Sequence, residues 1–215
     1  MAKSVLLRGY RYSVYNRIAR VALHEKDVAY DIEEVDPVAS SIPNDFLERQ
    51  PFGHVPVLSH GTFDVYETSA IIRYVDVAFD GPCLVPSAPG PLARAAQVVS
   101  ILDSYGYRPM VRQVFAHRVF RPALGERVDE AEVLAGLEAS GTVLAALNTI
   151  AAERLVLDGR TLTIADCHLA PMIAYFAQAP EGAEALSNQS ALFEWWENVS
   201  QQPSIQMTDP GLPSS

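Results

Sequence analysis

Cysteine is scarce in this chain: its 215 residues carry only Cys83 and Cys167, and neither belongs to a CxxC pair. That spacing excludes a disulfide framework and a vicinal redox motif, and it fits a reducing compartment. Histidine is thinly spread as well; His24, His54, His60, His117 and His168 show no metal-ligand spacing with carboxylates or thiols, so no metal is expected. Positive charge is in deficit, with 16 Lys and Arg against 26 Asp and Glu, a net charge of −10 and a pI near 4.9. Such a balance argues against phosphate backbones and anionic lipid as partners, so neither nucleic acid nor membrane is expected. Long apolar runs are missing too. The stretch Val5–Leu7 before Arg8 falls short of the roughly 7–15 residues of a signal-peptide core, and no run approaches the ~18 that a membrane helix needs. A cytoplasmic protein is the expectation. Neither GxGxxG, GxxxxGK[ST] nor GxSxG occurs, which removes the main signals of nucleotide-dependent enzymes and of the serine-hydrolase elbow.

What is present is 49% hydrophobic residues, enough for one large core or two small ones. Over the first 80 residues, short apolar strands alternate with amphipathic helices. "SVLLRGY" reads as a strand, "VYNRIARVALHEK" as a helix with Ile18, Val21 and Ala22 on one face, and "VAYDIEEVD" as a second strand. "DFLERQPFG" reads as a short helix stopped by Pro51 and Gly53, "VPVLSH" and "FDVYE" as strands around His60-Gly61, and "TSAIIRYVDVAFD" as a helix. The proline-rich "GPCLVPSAPGPLAR" then reads as a linker. Beyond it the pattern is helical, in "LARAAQVVSILDSY", "EAEVLAGLEASGTVLAALNTIAAER", "TIADCHLAPMIAYFAQ" and "SALFEWWENVS". The expected fold is an α/β domain over residues 1–81, a linker over 82–92 and an all-α domain over 93–215, with the tail after Pro203 loosely held.

Ser13 stands where the first strand hands over to the first helix, a position for a cap or for a hydroxyl that faces a cleft. Three further marks follow it. In "FGHVPVL", Pro56 lacks a backbone donor, so it suits a strand start, an edge or a cis bond that turns the Val55 backbone outward for strand-like pairing with a peptide. In "VYETSAIIRY", Thr68 opens a helix, as an N-cap or as part of a carboxylate site, with Glu67 beside it as an acceptor for an ammonium group. In "TIADCHLAP", Thr163 and Asp166 have capping-box spacing, a folding signal.

In their order and separation these segments resemble the cytosolic glutathione transferases from Val5 to about Pro203. "YSVYNRIARVALHEK" resembles that family's catalytic loop and first helix, "RQPFGHVPVL" its NPFGxVPxL segment, "ETSAIIRYVD" its ESxAIxRYL signature, and "TLTIADCHLAP" its capping box; the pattern is nearest the serine-type, phi-like members. The resemblance implies a thioredoxin-like N-terminal domain that binds glutathione as co-substrate, a helical domain that shapes the pocket for a small hydrophobic electrophile, and a homodimer.

By that resemblance Ser13 is the hydroxyl that stabilises the glutathione thiolate by donating a hydrogen bond, with Tyr12 and Tyr15 as alternatives and Tyr10 in the same turn. The absence of cysteine from this loop argues against the family's thiol-exchanging branches. Val55, through a cis bond to Pro56, is implied to hold the cysteinyl backbone, and Glu67 and Thr68 the γ-glutamyl end. Thr68 replaces the commoner serine, Gln50 replaces asparagine, and His54 stands where Lys or Gln is usual at the glycyl carboxylate. In the second-substrate region, Tyr105, Met110, Arg112, Phe115 and His117 are candidates, on a helix expected to kink at Gly106 and Pro109. The same site suits glutathione-dependent isomerisation, dehalogenation or peroxide reduction. A non-catalytic protein that binds glutathione or hydrophobic ligands is the reading from another class.

Overall fold

The computed structural model describes residues 4–39 and 41–213. The chain divides into two compact units between Leu84 and Val85.

The first unit is built from β1 (Val5–Gly9), α1 (Val14–Glu25), β2 (Asp31–Glu34), α2 (Asn44–Arg49), β3 (Val57–His60), β4 (Phe63–Tyr66) and α3 (Thr68–Ala78). The sheet order is β2-β1-β3-β4, with β2 parallel to β1 and the pairs β1–β3 and β3–β4 antiparallel. Alternation in β1 buries Val5, Leu7 and Gly9, whereas all four residues of the edge strand β2 are exposed. Helices α1 and α3 pack together and bury Ile18, Val21, Ala22, Ile71, Ile72 and Val75. A smaller apolar cluster of Val35, Phe46 and Val57, with Ile42, Val55 and Tyr66 against it, seats α2. The β3–β4 hairpin turns through Gly61 and Thr62, and Gly61 takes the positive φ of 64° that a tight connection asks for. At the far ends of α1 and α3, the buried Lys26 ammonium lies 2.8 Å from Asp76 Oδ1, which also accepts from Leu84 N at 2.7 Å.

The second unit opens with α4 (Pro89–Ile101). Its first turn therefore lies inside the stretch read as linker to residue 92. Proline fits at a helix start because the amide it lacks has no intrahelical acceptor there. From Leu102 to Gly106 and from Arg108 to Phe120 the chain winds more widely, as π-helix. After the short α5 (Arg121–Ala123) come α6 (Glu130–Glu153), α7 (Ile164–Phe176), α8 (Pro180–Ser187), α9 (Ser190–Val199) and α10 (Pro203–Met207). The first part of the tail read as loose after Pro203 instead forms α10, with Ile205 and Thr208 buried, while residues 209–213 form no helix or strand. By length and composition α6 has the character of a membrane-crossing helix. Here its buried residues Val133, Gly136, Ser140, Val143, Leu147 and Ile150 recur at helical spacing, and it packs against the π-wound segment and α9 as a core helix.

Helix α7 is buried on nearly every side, and Pro171 lies within it without ending it. Thr163 is its N-cap and accepts from Ala165 N at 3.2 Å. Asp166 Oδ2 receives the Thr163 amide and hydroxyl at 2.8 and 2.7 Å, closing a capping box, and its Oδ1 receives Trp195 Nε1 at 2.7 Å. Burial nevertheless pushes the Asp166 carboxyl from 3.8 up to about 6, against the pull of these bonds.

Replacing Thr163 by Ala removes the cap and the hydroxyl donor to Asp166, leaving the backbone amide of residue 163 in place, and should lower the unfolding free energy by about 1–2 kcal/mol, read from the urea midpoint at constant slope. A carboxyl raised by folding contributes stability in full below its unfolded value of 3.8 and loses it as pH rises through about 6. Wild-type stability should therefore fall relative to Asp166→Asn between pH 4 and pH 7; a constant difference would contradict the assignment.

Candidate functional site

Strand register decides which loops meet. Arg8 pairs with Val57, Val57 pairs with Tyr66, and Gly9 pairs with Glu34. The C-terminal ends of β1, β2 and β4 and the start of β3 thus share one edge of the sheet. Neighbouring strands are about 4.8 Å apart, so the β1 and β4 ends lie within about 10 Å. From this edge leave the loop to Ser13, the segment carrying Val55 and Pro56, and the turn into α3 at Glu67 and Thr68.

Tyr10 to Ser13 form a turn closed by Ser13 N donating to Tyr10 O at 2.9 Å. Ser13 is the N-cap of α1, half-buried, with Oγ accepting from Asn16 N at a long 3.4 Å. A hydroxyl carries one donor besides its lone pairs, so capping leaves its hydrogen to be given elsewhere. The two roles read for Ser13 are therefore compatible. The positive end of α1 adds to any preference for an anion there. Around it, the Tyr10 and Tyr12 rings meet edge-on at 5.5 Å, and the Arg11 guanidinium lies 5.8 Å from the Tyr12 ring centre. The Tyr10 phenol is pushed up by burial and then by Asp36, which keeps it protonated. Tyr15 is half-buried in the first turn of α1.

Between α2 and β3 the chain is organised by Gln50, which is buried and accepts from Phe52 N through Oε1 at 2.6 Å. His54 is exposed beyond Gly53, which takes a φ of 66°. Val55 is half-buried against the Phe46 cluster, its peptide bond to Pro56 is cis, and it precedes the paired register that begins at Val57. At α3 the N-cap is Glu67, whose side chain makes no capping bond; Thr68 is the first helical residue and is buried. The amides of Ala70 and Ile71 both bond to Glu67 O at 2.9 Å, leaving those of Thr68 and Ser69 in the first turn directed out of the helix. Glu67 holds φ 66° and ψ 116°, a conformation that costs a side-chain-bearing residue about 1–3 kcal/mol.

A polar chain runs across the sheet in strand order. Arg8 bridges Glu33 Oε2 at 3.0 Å and donates to Ser59 Oγ at 2.8 Å; Ser59 donates to Asp64, and Asp64 pairs with Arg49 at the end of α2. It ties α2, and with it the approach to His54, to all four strands. Sequence motifs do not mark these residues because, apart from Ser59 and Asp64 in one hairpin, they meet only once distant strands pair.

In the helical unit the five pocket candidates separate. Met110 and Phe115 are buried, and Phe115 stacks on Tyr175 at 4.4 Å. Tyr105 and Arg112 are exposed. His117 is buried with no hydrogen bond to Nδ1. Tyr107, which the sequence reading passed over, has its phenol pushed up by burial, with a hydrogen bond to Arg112 opposing the shift. Among the described residues, no group of three or more His, Cys, Asp or Glu is placed to hold a metal.

The model for the N-terminal domain of glutathione S-transferases matches residues 7–83, and the model for their C-terminal domain matches residues 108–203. Glutathione S-transferase 3 of Zea mays is 28% identical over 212 residues, covering 96% of this chain and 95% of that protein. The structure of glutathione S-transferase III in its apo form superposes with a TM-score of 0.84 at 26% identity, over 99% of this chain and 98% of the other. The theta class enzyme of Xanthomonas axonopodis pv. citri, with glutathione bound, superposes with a TM-score of 0.76 at 26% identity, over 96% and 97% of the two chains.

Glu67→Gly should relieve the positive φ and raise the unfolding free energy by about 1 kcal/mol in a urea titration. A lower midpoint would show that the backbone there is not strained.

Proposed function

The chain belongs to the glutathione S-transferase family, and we propose that it transfers glutathione, activated as its thiolate, to the electrophilic carbon of a small hydrophobic substrate. A free thiol has a pKa of about 8.5 and is mostly protonated at neutral pH. Ser13 Oγ–H donates to the sulfur, and the positive end of α1 favours the anion; each unit by which the thiol is lowered corresponds to about 1.4 kcal/mol. Val55 pairs with the cysteinyl backbone. The first turn of α3 at Thr68 receives the γ-glutamyl carboxylate, and Glu67 accepts from the ammonium group. His54 meets the glycyl carboxylate. The thiolate then forms the carbon–sulfur bond as the leaving group departs with its electron pair. Catalysis consists of positioning and electrostatic stabilisation. The helical domain supplies the electrophile's pocket, from among Tyr105, Met110, Arg112, Phe115 and His117, and the assembly is a cytoplasmic homodimer.

The observation that carries this reading is the strand register, which brings the cap of α1, the Val55 segment and the first turn of α3 to one sheet edge. The Xanthomonas relative, whose structure holds glutathione, supports the ligand.

The test is the absorbance titration of the thiol at saturating glutathione. The pKa should be depressed in the wild type and rise by about one unit or more in Ser13→Ala. Glutathione bound with an unshifted pKa in both proteins would favour a non-catalytic binder instead. His54→Ala should raise the dissociation constant of glutathione severalfold at neutral pH, and an unchanged constant would remove His54 from the ligand.

A further inference from the structure

Asn16 is an unusual occupant of the first turn of α1. Asparagine is a poor helix former, yet its side chain is 1% exposed. With Ser13 as N-cap, Asn16 holds the third helical position, where a capping box carries Glu or Gln that accepts from the cap's own amide. The arrangement here is inverted. The Ser13 amide goes to Tyr10 O at 2.9 Å, and Asn16 Nδ2 donates to the same carbonyl at 3.1 Å. One carbonyl thus takes two donors, one from each end of the segment that fixes Ser13, while Asn16 N is the donor to Ser13 Oγ.

The other face of the amide abuts the sheet. A Cβ on Gly9 would come within 2.2 Å of Asn16 Oδ1, so β1 ends in glycine where this side chain passes. Gly9 is itself held, its carbonyl accepting from Val35 N at 3.1 Å. Asn16 Oδ1 has no hydrogen-bond partner. Turning the amide over would set its oxygen against Tyr10 O, so the donor to that carbonyl determines its orientation. A buried acceptor left unmet is a cost without return in stability. A buried apolar residue would fill the volume without it.

We infer that Asn16 is a positioning residue for thiol activation: it clamps the Tyr10–Ser13 turn between the end of β1 and the first turn of α1, and so aims the Ser13 hydroxyl. This rests on the proposed role of Ser13. Asn16 touches neither the sulfur nor the electrophile in this account; it acts only through the serine.

The experiment is a double-mutant cycle on the pKa of the bound glutathione thiol, using wild type, Asn16→Ala, Ser13→Ala and the double variant. Asn16→Ala should raise that pKa by about half a unit or more, and add nothing in the Ser13→Ala background. The affinity for S-methylglutathione, which has no ionisable thiol, should change less than about threefold, since a shift of one pKa unit corresponds to tenfold. Asn16→Leu keeps the branched shape with a larger side chain, removes the donor and carries the same expectation if the alanine variant fails to fold. An equal rise in both backgrounds would overturn the inference, as would no rise with Asn16 replaced while Ser13→Ala does raise the pKa. If Ser13→Ala itself leaves the pKa unchanged, the thiolate reading of the site fails first and the clamp falls with it.

Discussion

The alignment of Arg8, Val57 and Tyr66 across three strands is the constraint on which the candidate site depends. A slip of one residue between β1 and β3 would turn Leu58 outward and part the loop of Ser13 from the Val55 segment. Two features hold the register. One is apolar alternation, which keeps Leu7 and Leu58 buried. The other is the polar chain from Glu33 through Arg8, Ser59 and Asp64 to Arg49, whose members meet in this register. The second also fixes α2, so the geometry of the sheet extends to the segment that carries His54.

Helix ends divide according to what they face. In the helical unit, Asp129 caps α6, Thr163 and Asp166 cap α7, and Asn148 Oδ1 receives the first amides of α9 at 2.9 and 3.1 Å. Proline heads α4, α8 and α10 and lowers the number of donors to be met. At the sheet edge side-chain capping is slight. The serine cap of α1 is long, and α3 has no side-chain cap at all. The first-turn amides of α1 and α3 thus stand at the candidate site, where an anion would meet them. Glu67, held at positive φ at the head of α3, fits the same picture of local stability given up where a ligand is to bind.

Much of this was legible in sequence because it is encoded within a few residues: the strand and helix periods of the first unit, the serine before α1, the valine–proline entry to β3, and the spacing of Thr163 and Asp166. What escaped depends on distant partners or on backbone angles. Arg8, Glu33, Arg49, Ser59 and Asp64 become one network only after the strands pair. The sequence leaves Thr68 as a cap or as part of a carboxylate site, with Glu67 as an acceptor beside it, whereas Glu67 is itself the N-cap, in a conformation its residue type does not announce. The composition after Pro203 suggested a loose tail, since polar and turn-forming residues dominate there; two buried side chains, Ile205 and Thr208, order its start, while residues 209–213 form no helix or strand. Asn16 carries no mark in the sequence, and only its approach to Gly9 singles it out.

The central claim is that one sheet edge assembles a thiolate site from three separate loops. A crystal structure of the protein with glutathione tests it most directly. The account predicts the sulfur in hydrogen-bonding contact with Ser13 Oγ, the cysteinyl backbone paired with Val55, and the γ-glutamyl carboxylate on the first turn of α3. A sulfur resting on a tyrosine hydroxyl, or a ligand bound away from that edge, would contradict it.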